Sequence, residues 1–293
     1  MTTICLSRHT PGMIMKVGGY QQPQVYLTPY QAPQANLYQQ MSARLTKSSG
    51  QQNSVICYFS NWAGLRSGDG KYVPENIPGQ HCTHVVYAFA KLDEEKFVPA
   101  ASGPVADIDQ DYFHRVQVAS KAGNTDAKVL ISLGGWADSA GSKYSKLVNS
   151  EALRQKFVDG TRNFLKKYNF DGLVMEWHFP VCWQSNCNAG PASDKAGFLQ
   201  LVQDLKKAFG KRYVLGATLS GYKKVYDLAY DVPGLSKELD FMNIMTYDLH
   251  GFWDGTTQPH SSLNAVVRHT FLTLRKSRKS FITKKFLDYK TKT

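Results

Sequence analysis

From residue 55 onward, short apolar runs alternate with longer amphipathic stretches. Residues 55–60 (VICYFS), 83–90 (THVVYAFA), 128–134 (KVLISLG), 213–219 (YVLGATL) and 240–246 (DFMNIMT) are compact and largely apolar. Runs of this length without strict polar alternation read as strands buried on both faces. Two stretches between them carry a helical period. Ser150 stands as an N-cap before Leu153, Phe157 and Phe164, which share one stripe opposite a charged face. Ser193 is the second N-cap candidate, ahead of Phe198, Leu201, Val202 and Leu205 at helical spacing, with Gly210 past the end.

A sixth run, residues 170–180 (FDGLVMEWHFP), differs from the others by ending in an acid, an indole, an imidazole and a proline. In an extended strand Val174, Glu176 and His178 share one face, while Leu173, Met175 and Trp177 share the other. One reading makes Glu176 and His178 a working site, and the other makes them an internal hydrogen-bonded pair. Strand and helix alternating at this pitch predict an α/β fold, a parallel sheet of βα units with both faces covered. Six strands in about 210 residues match the pace of a (β/α)8 TIM barrel, of which about six βα units are present. Six of eight strands would leave two sheet edges and part of the core open to solvent.

The flanks have a different texture. Residues 1–53 hold nine Gln, repeated Pro and Tyr and no hydrophobic period, the mark of a flexible leader. Residues 264–293 carry nine basic side chains and one acid, without strand-like alternation or an apolar helical face, and read as an irregular basic tail. The net charge of +12 lies wholly in these flanks, because residues 54–263 hold 22 basic and 22 acidic side chains. A basic face for nucleic acid is therefore not indicated in the central region. No apolar run reaches the length of a membrane span, and residues 12–17 are too short and too interrupted to make a signal peptide. Five cysteines give two pairs and one left over if the compartment is oxidising.

In a barrel of this kind the working residues lie at the C-terminal ends of the strands. Tyr58, Trp62, Phe89, Trp136, Glu176, His178, Met245, Tyr247 and Asp248 all fall there. Aromatic rings beside carboxylates suit a carbohydrate, whose faces stack on rings while its hydroxyls need directed partners. A zinc reading of His178, Cys182 and Cys187 lacks a fourth ligand at a recognisable spacing, so neither a metal nor a cofactor is expected.

The Gly134-Gly135-Trp136 turn, the FDGLVMEWHFP stretch with Cys182 and Cys187 after it, and the MTYDLHGFWDG segment at 245–255 occur in that order. With them the chain from Val55 to about Leu263 resembles the glycoside hydrolase family 18 chitinases and chitinase-like proteins, particularly insect types with several such domains. The resemblance implies chitin or chitooligosaccharide as partner, an extracellular location, further chitinase domains in a longer chain, and disulfides Cys57–Cys82 and Cys182–Cys187, with Cys5 unassigned. The family's strand-four pattern runs Asp, two residues, Asp, one residue, Asp, one residue, Glu. Asp171 matches its first acid, Val174 replaces the second, Glu176 stands at the third and His178 occupies the place of the catalytic Glu.

In that family the last Glu protonates the glycosidic oxygen while the substrate's N-acetyl group attacks its own anomeric carbon, an exception to the usual two-carboxylate scheme. By resemblance Tyr247 would hydrogen-bond the acetamido oxygen, and Glu176 would accept from the acetamido N–H. General acid–base assistance is worth about 10² to 10⁴ in rate, so a histidine at 178 implies little or no turnover. The alternatives are a weakly active endo-acting chitinase and an inactive truncated fragment of a longer one.

Overall fold

The computed structural model describes residues 2–3 and 54–261. The expected leader beyond Thr2–Thr3, the basic tail and Cys5 lie outside them. Six parallel strands form the sheet: β1 (Val55–Ser60), β2 (His84–Leu92), β3 (Lys128–Gly134), β4 (Gly172–Glu176), β5 (Val214–Ser220) and β6 (Phe241–Met245). They pair in sequence order, each strand beside its predecessor. Two short pieces complete the sheet. Pro99–Ala101 runs antiparallel to the end of β2, and Thr2–Thr3 pairs in parallel with Val55 and Ile56, a pairing the leader's composition did not suggest.

Helices cover the outer face: α1 (Tyr112–Gly123), α2 (Lys143–Val148), α3 (Glu151–Lys167), α4 (Ser193–Phe209), α5 (Lys223–Ala229) and α6 (Val232–Glu238). The expected cap of α3 is present, since Ser150 Oγ accepts from Leu153 N–H. The expected cap of α4 is not. Ser193 is already helical, and Ala192 precedes it without a side-chain cap. Gly210 closes α4 as expected, with φ +54 and its N–H on Lys206 C=O.

Alternation along the strands separates two apolar layers. Leu133, Leu173, Met175, Leu215 and Leu219 pack outward against Phe157, Phe198, Leu201 and Leu205 of α3 and α4. Ile56, Val86, Leu130, Val174 and Phe241 pack inward, and none is more than 3% exposed. The expectation of a solvent-open inner core is thus not met for these side chains. Curvature is one reason: Asn243 Nδ2 donates to Tyr58 Oη at 2.7 Å, so β6 reaches β1 across the concave face although the two strands are not paired. The architecture is a curled parallel half-barrel.

Candidate functional site

The inward face of β4 continues from the apolar floor at Val174 to Glu176, then to His178 just beyond the strand. Leu173, Met175 and Trp177 point outward, where the Trp177 ring stacks on Tyr144 at 5.6 Å and meets Phe198 edge-on. Glu176 is buried, and its Oε2 accepts from Ser132 Oγ at 2.8 Å and from Thr218 Oγ1 at 3.2 Å. Tyr58 Oη lies 3.1 Å from Thr218 Oγ1. With the Thr218 proton on Glu176, Tyr58 donates to Thr218 and accepts from Asn243, giving a directed chain Asn243, Tyr58, Thr218, Glu176 that ends on the carboxylate. Burial, then the Glu176 charge, push the Tyr58 hydroxyl well above the ordinary phenol range.

His178 Nε2 is 3.6 Å from Glu176 Oε1 and makes no hydrogen bond. The pair sits at ion-pair distance rather than in the hydrogen bond of the second sequence reading. The His178 backbone is fixed from both sides, its N–H donating to Ser139 Oγ and its C=O accepting from Gln184 N–H. Gln184 belongs to the loop closed by Cys182–Cys187, and its Nε2 donates to Trp136 C=O. The other expected disulfide, Cys57–Cys82, ties β1 to the start of β2. Both Cys182 and Cys187 are oxidised in this pairing, so neither is a thiolate available to zinc.

The rings gather around the same rim. Trp62 follows β1 and stacks on Phe89 at 5.8 Å and 25°. Phe89 in turn lies over Gly135, where a Cβ would come within 2.8 Å of its ring. Gly134 has φ +120, and a Cβ there would lie 2.5 Å from Glu176 C=O, so the Gly134-Gly135 turn is required by both backbone and packing. Trp136 is thereby brought 6.2 Å from the His178 ring and stands half exposed. Met245 ends β6 and packs partly into the outer core. Beyond it the Tyr247 ring stacks on His260 at 6.3 Å, and Asp248 Oδ1 lies 2.8 Å from His260 Nε2.

Asp171, like the outward-packed Met245, is not brought to this rim. It precedes Gly172 at the starting end of β4, where its Oδ2 accepts from Val129 N–H at 2.9 Å and lies 3.8 Å from Lys121 Nζ. The strand's length separates it from Glu176, and its geometry is that of a strand-start clamp. Ser132, Thr218, Asn243 and Ser139 were missed by sequence reasoning. The first three fall on inward positions of β3, β5 and β6, so alternation within those strands carried the signal.

Residues 54–291 match the sequence profile of Glycosyl hydrolases family 18. The chain belongs to that family. It is 44% identical over 204 residues to "Probable chitinase 10" of Drosophila melanogaster, a match covering 69% of this chain and 9% of that protein. Among solved family 18 structures, catalytic domain 2 of the Ostrinia furnacalis Group II chitinase superposes with TM-score 0.74 at 40% identity, covering 82% of this chain and 61% of that one. Human YKL-39, described as a pseudo-chitinase with retained chitooligosaccharide binding properties, superposes with TM-score 0.66 at 26% identity, over 80% and 63% of the two chains. The family 18 chain described here therefore spans less than two thirds of each of these proteins. Among its described residues no helix is long and apolar enough to cross a membrane.

Proposed function

We propose that this family 18 chain recognises chitin or N-acetylglucosamine oligomers and hydrolyses them little or not at all. The observation that carries this reading is His178. An imidazole occupies the place of the family's acid, with Nε2 buried 3.6 Å from Glu176 Oε1. An imidazole differs from a carboxyl in shape, in charge and in the atom that would carry the proton, so it does not reproduce the carboxylic acid that the family places at the scissile bond. The second family carboxylate is also absent, because Val174 contributes a methyl pair to the inner floor.

Binding has separate support. Trp62, Phe89, Trp136 and Tyr247 supply ring faces at the rim, and none of them depends on the residue at 178 for its chemistry. YKL-39 is a precedent for a family 18 fold that keeps oligosaccharide binding as a pseudo-chitinase. Asp171 enters this reading only as the clamp below β4, and Glu176 as the acceptor for an acetamido N–H. Two disulfides favour an oxidising compartment, consistent with an extracellular protein. Further chitinase domains in a longer chain are consistent with the 9% coverage of the Drosophila relative.

Weak hydrolysis is the second reading, favoured by Glu176 itself, an intact carboxyl held by two hydroxyls on the inward face. The test is calorimetric titration with chitotetraose alongside product analysis of the same mixture. Saturable binding without products is expected. Turnover within tenfold of an ordinary chitinase, abolished by His178→Ala, would overturn the proposal.

A further inference from the structure

Far from the ring-lined rim, a groove of about 550 Å3 runs between α3 and the turn that leads from α4 into β5. Arg162, Asn163 and Lys166 line it from α3, and Arg212 and Tyr213 line it from the turn. Positions 162, 163 and 166 share one helical face, so two cations and an amide point into the groove from a single rigid wall. Arg212 faces them from the other side, its guanidinium 5.2 Å from the Tyr213 ring centroid, which orients the planar fork.

Two guanidinium groups elsewhere are neutralised: Arg115 pairs with Glu75 and Arg154 with Asp204. Among the described residues no carboxylate lies within ion-pair distance of Arg162 or Lys166. The one acid in the groove, Asp159, lies a turn earlier on α3 and accepts from Gln155 Nε2. Lys166 stands in the last turn of α3, where the helix dipole by itself favours a cation, but Arg162 lies a turn earlier and has no such explanation. Three cations against one carboxylate, in a region whose charges balance overall, leave a local excess of positive potential in a concave site.

The geometry points to a second binding site, one for a ligand carrying clustered phosphate or sulfate groups. Two arginines on opposite walls can each grip such a group bidentately, while Lys166 adds a point charge and Asn163 and Tyr213 add neutral donors. Tyr213 immediately precedes β5, so the groove opens at the starting ends of the strands. The rim of Trp136 and His178 is at their opposite ends, and both sites can be filled at once.

The experiment titrates the 15N-labelled full chain at low salt with inorganic tripolyphosphate in one arm and a sulfated dextran oligosaccharide in the other, following backbone amide shifts. Saturable shifts centred on Asn163 and Tyr213 are expected, and the tighter arm identifies the source of the anionic groups. The Arg162→Gln/Arg212→Gln variant should bind at least tenfold more weakly, and Arg162→Lys/Arg212→Lys, which keeps the charge, should fall between it and the parent. Chitotetraose binding should not change in either. Absence of saturable shifts, or equal affinity in the parent and the double Gln variant, overturns the proposal. Equal affinity would assign any binding to the basic residues of 264–293 instead.

Discussion

His178 Nε2 lies 3.6 Å from Glu176 Oε1, both side chains are more than nine-tenths buried, and this nitrogen has no hydrogen-bond partner. The relationship follows from strand alternation, since residues two apart at the end of β4 share the inward face. Replacing the imidazole by a carboxyl would put an acid back at the position where the family carries one. His178→Glu is accordingly expected to raise chitotetraose hydrolysis at least tenfold over the parent, within the roughly 10² to 10⁴ that an acid contributes. Product formation by chromatography checks it, and no gain would mean that Val174 or ring placement limits the reaction instead.

Trp136 is half exposed and its backbone is held by Gln184, so truncating its side chain leaves the turn intact. Trp136→Ala should weaken chitotetraose binding by about tenfold, roughly 1.4 kcal/mol, with little change in melting temperature. Calorimetry and thermal unfolding on the same sample separate the two effects.

The loop that presses on His178 is anchored by Asp194. This fully buried carboxylate accepts from Ser145 Oγ (2.6 Å), Asn149 Nδ2 (2.8 Å), Trp183 Nε1 (2.9 Å) and Val181 N–H (3.2 Å). Asp194→Asn would turn one acceptor into an amide NH2 facing other donors. A stability loss of about 2–3 kcal/mol in urea unfolding is expected. Oligosaccharide affinity should fall with it, because Gln184 then loses its fixed place against Trp136.

Acid should destabilise the domain through His84. Burial first, and Lys128 second, hold its imidazole below the ordinary histidine range, with Asp171 partly opposing them. The folded state thus binds the proton less readily than the unfolded chain. Stability is full above the unfolded histidine range and is lost as pH falls from about 6.5 toward the depressed folded value. One proton limits the slope to about 1.4 kcal/mol per pH unit. His84→Gln should flatten this part of the stability–pH curve, measured by urea midpoints between pH 7 and 5.

Much of the scaffold was legible because local patterns dictated it. The runs at 55–60 and 128–134 coincide with β1 and β3, and Ser150 caps α3 as its spacing predicts. The helices α1, α2, α5 and α6 were not read. Asp111 before α1 makes no side-chain cap bond, and α2, α5 and α6 are six or seven residues long. Helices so short are held by packing rather than by their own propensity. Phe113 and Val116 of α1 and Leu147 of α2 sit in the outer core, contacts that no local period announces.

The sequence alone determined the kind of sheet, the inward face of β4 and the residues standing at the family's four acid positions, because alternation and motif order are properties of the chain itself. Only the tertiary structure decided that Asp171 faces away from the rim, that Ser132 and Thr218 converge on Glu176, and that Asn243 reaches Tyr58 across the curl. Those contacts join residues 42 to 185 positions apart. Their distances depend on how far the sheet bends, a quantity set by all six strands and their packed helices together.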